Sequence, residues 1–226
     1  MKSKSEVAAL IPAYNEEKNI QEVIQKCKSF TDTIFVIDDG SSDSTTQLAR
    51  KAGAVVIAHD KNKGKGESMK TGMHEIQKLT QIKYIIVIDA DMQYNPEEAP
   101  ELLAPLENGA DFVMGYRNWQ QVPFRHKLGN FIWKGFFNTL FKTKLKDVSC
   151  GFIAIDRKAI TAIEKMYGGY IIESSILAQA ITNNLKIEQV PVNVTYKKLS
   201  GFIRGSRIFL GVLVFMLRKG IKYRLR

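Results

Sequence analysis

Five short apolar runs, rich in Val and Ile, punctuate the first half of the chain: VAALI (7 to 11), TIFVI (33 to 37), AVVIA (54 to 58), YIIVI (84 to 88) and DFVMG (111 to 115). They lack the polar alternation of a half-solvated strand and read as strands buried on both faces. Between several of them the apolar spacing changes to that of a helix. Over Glu16 to Ser29 it places Ile20, Val23, Ile24 and Cys27 on one face, and over Gly66 to Leu79 it does the same with Met69, Met73, Ile76 and Leu79. Alternating strands and helices predict an α/β fold: a mostly parallel sheet flanked by helices, joined by right-handed crossovers. Ligands of such sheets bind beyond the carboxyl ends of the strands, where the Asp residues after TIFVI and YIIVI fall.

After about Arg117 the texture changes. FRHKLGNFIWKGFFNTLFK mixes bulky aromatics with Lys and Arg, and SCGFIAI and IEQVPVNV read as two further strands around a helix, with no linker between. In the tail, Ile208 to Leu217 is wholly apolar or Gly and is bracketed by Arg204, Arg207, Arg218, Lys219, Lys222, Arg224 and Arg226. Ten helical residues span ~15 Å, half of a hydrocarbon core of about 30 Å, so the tail predicts an amphipathic helix lying on a membrane surface rather than a full span. The start, MKSKSEVAALIPAYNEE, turns polar straight after Pro12 and reads as a first strand, not a signal peptide.

Composition adds two constraints. In 226 residues, 33 Lys+Arg against 23 Asp+Glu leave a net charge of +10, which favours an anionic partner without choosing among nucleic acid, membrane and phosphorylated small molecule. The two cysteines, Cys27 and Cys150, stand far apart without CxxC or His neighbours and read as core thiols.

Four segments carry candidate chemistry. In DADMQ, residues two apart in extended backbone share a face at roughly 7 Å, so Asp89 and Asp91 can both address one ion. Hard carboxylate oxygens suit Mg²⁺ or Mn²⁺ with phosphate oxygens completing the shell; a solvated turn with a helix cap is the competing reading. VIDDGSSDST (36 to 45) sets Asp38 and Asp39 before a Gly turn and a helix start, and suits either a phosphate or ribose or turn chemistry alone. LIPAYNEE (10 to 17) offers Pro12, Tyr14, Asn15 and Glu16 for stacking on a base and accepting from it. NKGKGES (62 to 68) is a basic, glycine-rich turn before a helix, neither Walker A nor GxGxxG, with Lys63 and Lys65 as ligands or as solvated charge.

Taken together, PAYNEE, VIDDGSSDST, NKGKGES and VIDADMQ resemble the nucleotide-sugar-binding half of family 2 inverting glycosyltransferases of the GT-A, Rossmann-like fold. The resemblance is narrowest to the dolichol-phosphate mannose synthase and dolichol-phosphate glucosyltransferase group, and covers roughly residues 5 to 200. It implies Pro12, Tyr14, Glu16, Ile37 and Asp39 around base and ribose, Lys65 in the nucleotide-sugar set, and Ala90 against the nucleotide. It further implies Asp89, Asp91 and Gln93 at the metal and diphosphate, with Asp91, Arg117 and Arg125 serving the chemical step. DVSCGFIAI (147 to 155) looks like the family's D-x-x-S-G-F segment, and GYIIES (169 to 174) like the stretch carrying an acidic residue, here Glu173. The sequence departs from the pattern in two places. YKKLSGFIRGSR is longer than the family's Arg, Gly, Ser, Lys series, so Lys198 and Arg207 are its counterparts with Arg204 competing; and Gly129 stands where relatives carry a Ser after the position of Arg125.

The function expected from this resemblance is metal-dependent, inverting transfer of mannose or glucose from GDP-mannose or UDP-glucose to a polyprenyl (dolichyl) phosphate, at the cytoplasmic face of a membrane by a peripheral enzyme. The expected layout is a catalytic domain over 1–200, its nucleotide-sugar half at 5–118 and acceptor half at 119–200, followed by a membrane-associating tail at 201–226. A phosphate monoester is already an anion at neutral pH and needs cations rather than the general base a hydroxyl acceptor requires; Arg117, Arg125, Lys198, Arg204 and Arg207 supply them. NFIWKGFFNTLF (130 to 141) and the tail read as membrane-surface segments, or else as core or dimer-interface helices. A family 2 transferase acting on a glycan or other hydroxyl is the alternative, with Glu173 as its candidate base. Nucleic acid is disfavoured, because the aromatics cluster in two amphipathic segments and strand-end carboxylates repel a phosphate backbone.

Overall fold

The computed structural model describes residues 3–117, 124–163 and 172–195. They build a seven-stranded sheet from β1 (Val7–Ala13), β2 (Thr33–Asp38), β3 (Val55–Ala58), β4 (Tyr84–Val87), β5 (Phe112–Arg117), β6 (Ile153–Asp156) and β7 (Ile187–Val192). The helices are α1 (Ile20–Cys27), α2 (Thr45–Lys51), α3 (Lys65–Gln77), α4 (Ala99–Glu107), α5 (Phe124–Phe141) and α6 (Ile172–Thr182). Strand order is β3-β2-β1-β4-β6-β5-β7, and β6 alone runs antiparallel to its neighbours, so the sheet is mostly parallel as the apolar runs predict. Every residue of β1 is buried, as befits a central strand covered on both faces.

Two helices start later or earlier than their periodicity suggests. α1 opens at Ile20 because residues 14 to 19 form a loop, with Asn15 at φ 55° and the amides of Asn19 and Ile20 both donating to the Glu16 carbonyl. Its inward face is Ile20, Val23, Ile24 and Cys27, as expected. α3 opens at Lys65, directly after Gly64 at φ 90°, and buries Met69, Met73 and Ile76. Both cysteines are free and buried, and burial pushes each thiol up to about 12.

The segment 130 to 141 divides along its length. Phe137, Leu140 and Phe141 are core residues, while Phe131 and Ile132 are 68% and 55% exposed. Its C-terminal half is therefore a core helix, and only the stretch nearer the N-terminus of α5 presents apolar surface to solvent. Among the described residues no helix is long and apolar enough to cross a membrane. The tail 201–226, with Arg204 and Arg207, lies outside the described residues, as does Lys198.

Candidate active site

The C-terminal ends of β1, β2, β4 and β5 and the start of α3 and α6 enclose a cavity of about 670 Å³, within the range of small-molecule sites. Its wall includes Pro12, Tyr14, Glu16, Asp39, Lys65, Asp89, Ala90, Asp91, Gln93 and Arg117, so the structure brings these sequence-predicted residues into one place. Ile37 does not join them. Its side chain is fully buried and faces α3, where a Cβ on Gly72 would lie 3.1 Å from its Cγ1. Ile37 and Asp39 are two apart, but β2 ends at Asp38, so Asp39 departs from the strand's alternation while Ile37 stays packed in the core. Arg125 falls in the first turn of α5, and its side chain lies outside the described residues.

Turn chemistry accounts for most of VIDDGSSDST. Asp38 accepts from the Ser41 amide at 2.9 Å and from the Thr46 hydroxyl; Ser41 Oγ receives the Asn15 amide at 2.9 Å; Thr45 Oγ1 receives that of Glu16 at 2.8 Å. These bonds fasten the loop bearing Tyr14 and Glu16 onto the start of α2. Asp39 is different: it lines the cavity, and its carboxylate takes the amides of Lys63 at 2.9 Å and Gly64 at 2.7 Å and pairs with His59 Nδ1 at 2.8 Å. Asp39 thus ties the end of β2 to the start of α3. Nothing in the sequence marks His59, since one histidine after a strand has no spacing to single it out. Gly40 makes the turn, at φ 76°, with a would-be Cβ only 2.7 Å from the Lys61 carbonyl carbon.

The DADMQ carboxylates reach the cavity through a turn, not through extended backbone: β4 ends at Val87, and Met92 adopts φ 60°, a left-handed conformation costing on the order of 1 kcal/mol or more in a non-glycine residue. That turn lets Asp91 Oδ1 accept the Gln93 amide at 3.0 Å. Asp89 is ion-paired with the Lys65 ammonium, which also contacts Glu173 Oε1 at 2.6 Å. Burial alone would lower that ammonium, but the charges of Asp89 and Glu173 outweigh it and hold Lys65 protonated, above the ordinary lysine range. Gly151 admits this cluster, because a Cβ there would overlap Asp89 Oδ2 and lie 3.2 Å from Lys65 Nζ.

Arg117, at the end of β5, is locked. Its Nε donates to Asp147 Oδ2 at 2.6 Å and its Nη2 to Asp147 Oδ1 at 2.9 Å and to Ser149 Oγ at 2.7 Å. Burial opposes charge on both partners, yet the bidentate bonds prevail, holding the Asp147 carboxyl below the usual carboxylate range and the guanidinium above its own. Asp147, Ser149 and Gly151 all belong to DVSCGF, whose Asp turns out to orient the arginine.

The donor set suits a hard divalent ion: two carboxylates and an amide oxygen on one wall. Among the described residues no three His, Cys, Asp or Glu converge on one point, so such an ion would draw further oxygens from a ligand or water.

Comparison with known proteins identifies the family. The sequence model described as glycosyl transferase family 2 matches residues 8–163. The chain belongs to that family. A UDP-N-acetylglucosamine–dolichyl-phosphate N-acetylglucosaminyltransferase of Methanococcus voltae is 27% identical over 239 residues, covering 91% of this chain and 92% of that protein. A dolichol-phosphate mannosyltransferase of Pyrococcus furiosus is 29% identical over 206 residues, covering 82% of this chain and 55% of its own length. In structure, the glucosyl-3-phosphoglycerate synthase of Mycobacterium tuberculosis, solved with Mn²⁺, UDP and glucosyl-3-phosphoglycerate, superposes with a TM-score of 0.78 at 21% identity, over 94% of this chain and 79% of that one. This family 2 glycosyltransferase therefore has the GT-A fold anticipated from its four segments.

Proposed function

We propose that this glycosyltransferase moves a hexose, with inversion, from a nucleotide sugar to a polyprenyl phosphate in a reaction that depends on Mg²⁺ or Mn²⁺. The observation that carries the proposal is the meeting of Asp89, Asp91, Lys65 and Arg117 with Tyr14, Glu16 and Asp39 in one cavity. The base and ribose lie along Pro12, Tyr14, Glu16 and Asp39, and the diphosphate lies toward Lys65 and Ala90. Asp89 and Asp91, with Gln93 beside them, would hold the metal, which when bound neutralises the diphosphate of the departing nucleotide.

The acceptor phosphate attacks the anomeric carbon as an anion, without a base. Asp147 already balances the charge of Arg117, so Arg117 acts as a rigid wall of the acceptor site. The positive charge that meets the acceptor phosphate falls to Arg125, Lys198, Arg204 and Arg207. The catalytic domain spans 1–200, and the basic tail 201–226 docks the enzyme on the cytoplasmic face of a membrane, where its lipid substrate resides. The names of the relatives in Methanococcus and Pyrococcus support a dolichyl-phosphate acceptor and leave three donors to compare.

Purified protein incubated with Mn²⁺, polyprenyl phosphate and, separately, radiolabelled GDP-mannose, UDP-glucose and UDP-N-acetylglucosamine should transfer label to the organic phase from one donor, and Asp91→Ala should abolish it. Metal-dependent donor binding with no extracted label would overturn the lipid acceptor. The presence of Glu173 in the cavity favours a second reading, a hydroxyl acceptor with Glu173 as base. Under that reading label appears in a water-soluble glycan and is lost in Glu173→Gln.

A further inference from the structure

Among the described residues, one buried side-chain polar atom has no hydrogen-bond partner: Ser68 Oγ. Ser68 is fully buried, yet it lines the cavity. Its backbone is satisfied, since its amide donates to the Gly64 carbonyl at 3.3 Å, so the deficit belongs to the hydroxyl alone. A buried hydroxyl left without a partner is unfavourable and uncommon. It persists where something other than the folded chain completes it.

The surroundings indicate what that partner is. Ser68 lies on α3 three residues after Lys65, and so on the same face one turn further in. The N-cap of α3 is Gly64, which makes no side-chain cap; the amides of Glu67 and Ser68 both turn back to the Gly64 carbonyl, so the amides of Lys65 and Gly66 and the positive end of the dipole are left for a ligand. Asp39 occupies only the amides of Lys63 and Gly64, which precede the helix. An uncapped helix start, an ammonium and a spare hydroxyl form a set of donors, which matches an anionic oxygen. Ribose hydroxyls are served instead by the acceptors Glu16 and Asp39, which line the same cavity. Rotation about χ1 gives the hydroxyl three staggered directions from which to reach a bound oxygen.

We infer that Ser68 is a further donor-binding residue, its hydroxyl donating to a phosphate oxygen of the nucleoside diphosphate at the start of α3. The inference rests on the nucleotide-sugar reading of the cavity and adds a residue to it. Because the hydroxyl has a partner only in the complex, its removal has opposite consequences in the two states. Ser68→Ala deletes an unsatisfied group from the free protein and a charge-assisted hydrogen bond from the bound one.

Isothermal titration with UDP and with GDP, each with Mn²⁺, is compared for wild type and Ser68→Ala, alongside the thermal midpoint of the ligand-free proteins. The expected result is about ten- to hundredfold weaker binding of whichever nucleotide the wild type takes, with a midpoint equal to or above wild type. Equal affinity in the two proteins would overturn the inference alone. A lowered midpoint in Ser68→Ala would also overturn it, showing the hydroxyl to be structural, through a buried water. Failure of the wild type to bind either nucleotide would overturn both this inference and the nucleotide-sugar reading.

Discussion

Asp147→Ala tests whether the arginine in the cavity is held by its ion pair. The Asp147 carboxylate is 2% exposed and the Arg117 side chain 11%, and besides the bidentate fork the carboxylate accepts the amides of Val148 at 2.8 Å and Ser149 at 3.1 Å. Removing it strands a buried guanidinium and three amides, that of Arg117 included, and losing one partner of a buried pair costs about 3–5 kcal/mol. For a chain of this size about 1 kcal/mol shifts the thermal midpoint by roughly 2–4 °C, so Asp147→Ala should melt about 6–20 °C below wild type. The double variant Arg117→Met, Asp147→Leu removes both charges and should recover much of that loss. The pH dependence has a definite sign. The folded carboxyl lies below its unfolded value of about 3.9, so its stabilisation is present above that pH and is lost as pH falls through the folded value. Urea unfolding followed by circular dichroism at pH 7 and at pH 3 measures both effects, and the acid loss should be smaller in Asp147→Ala. A loss under about 1 kcal/mol at pH 7, or a double variant less stable than Asp147→Ala, would refute the reasoning.

Gly40→Ala forces a Cβ against the Lys61 backbone at a residue with φ 76°; it should cost about 2 kcal/mol or more in urea unfolding and weaken nucleotide binding by displacing Asp39. Cys27 and Cys150, pushed by burial up to about 12, should react with an aromatic disulfide reagent at pH 8 only after denaturant is added. Since both values lie above an unfolded thiol's ~8.5, the stability they contribute is intact below that pH and declines as pH rises toward 12, a trend visible as a falling urea midpoint.

What the sequence disclosed, and what it withheld, follows from the range of the interactions. The five apolar runs are strands because each is buried by neighbours on both faces, and the i, i+3, i+4 spacing of Ile20, Val23, Ile24 and Cys27 survives unchanged as the core face of α1. Asp89, Asp91 and Lys65 were legible as chemistry because they sit at strand and helix termini. The ion pair of Lys65 with Glu173 joins residues 108 apart in the chain, and no local pattern encodes such a contact. Ile37 lies inside β2 and packs toward Gly72, whereas Asp39, two residues on, follows the end of the strand and lines the site, a difference their shared motif does not display. Asp147 stands out in the sequence only as part of DVSCGF, not as the holder of Arg117, since a carboxylate's partner is set by the tertiary fold. Ser68 carried no signal at all, because an unsatisfied hydroxyl is a property of the packed interior.

The antiparallel strand β6 lies between β4 and β5, pairing Ile86 with Ala154 on one side and Ala154 with Val113 on the other. β5 precedes the C-terminal half of the chain, yet its hydrogen-bonded neighbours are β6 and β7. Anyone building a chimera that keeps the N-terminal half of this enzyme and transplants a different C-terminal half should therefore move β5 with the incoming piece. A crossover point placed before Asp111 respects the hydrogen-bonded grain of the sheet. One placed after Arg117 leaves the arginine of one parent to find its aspartate in another.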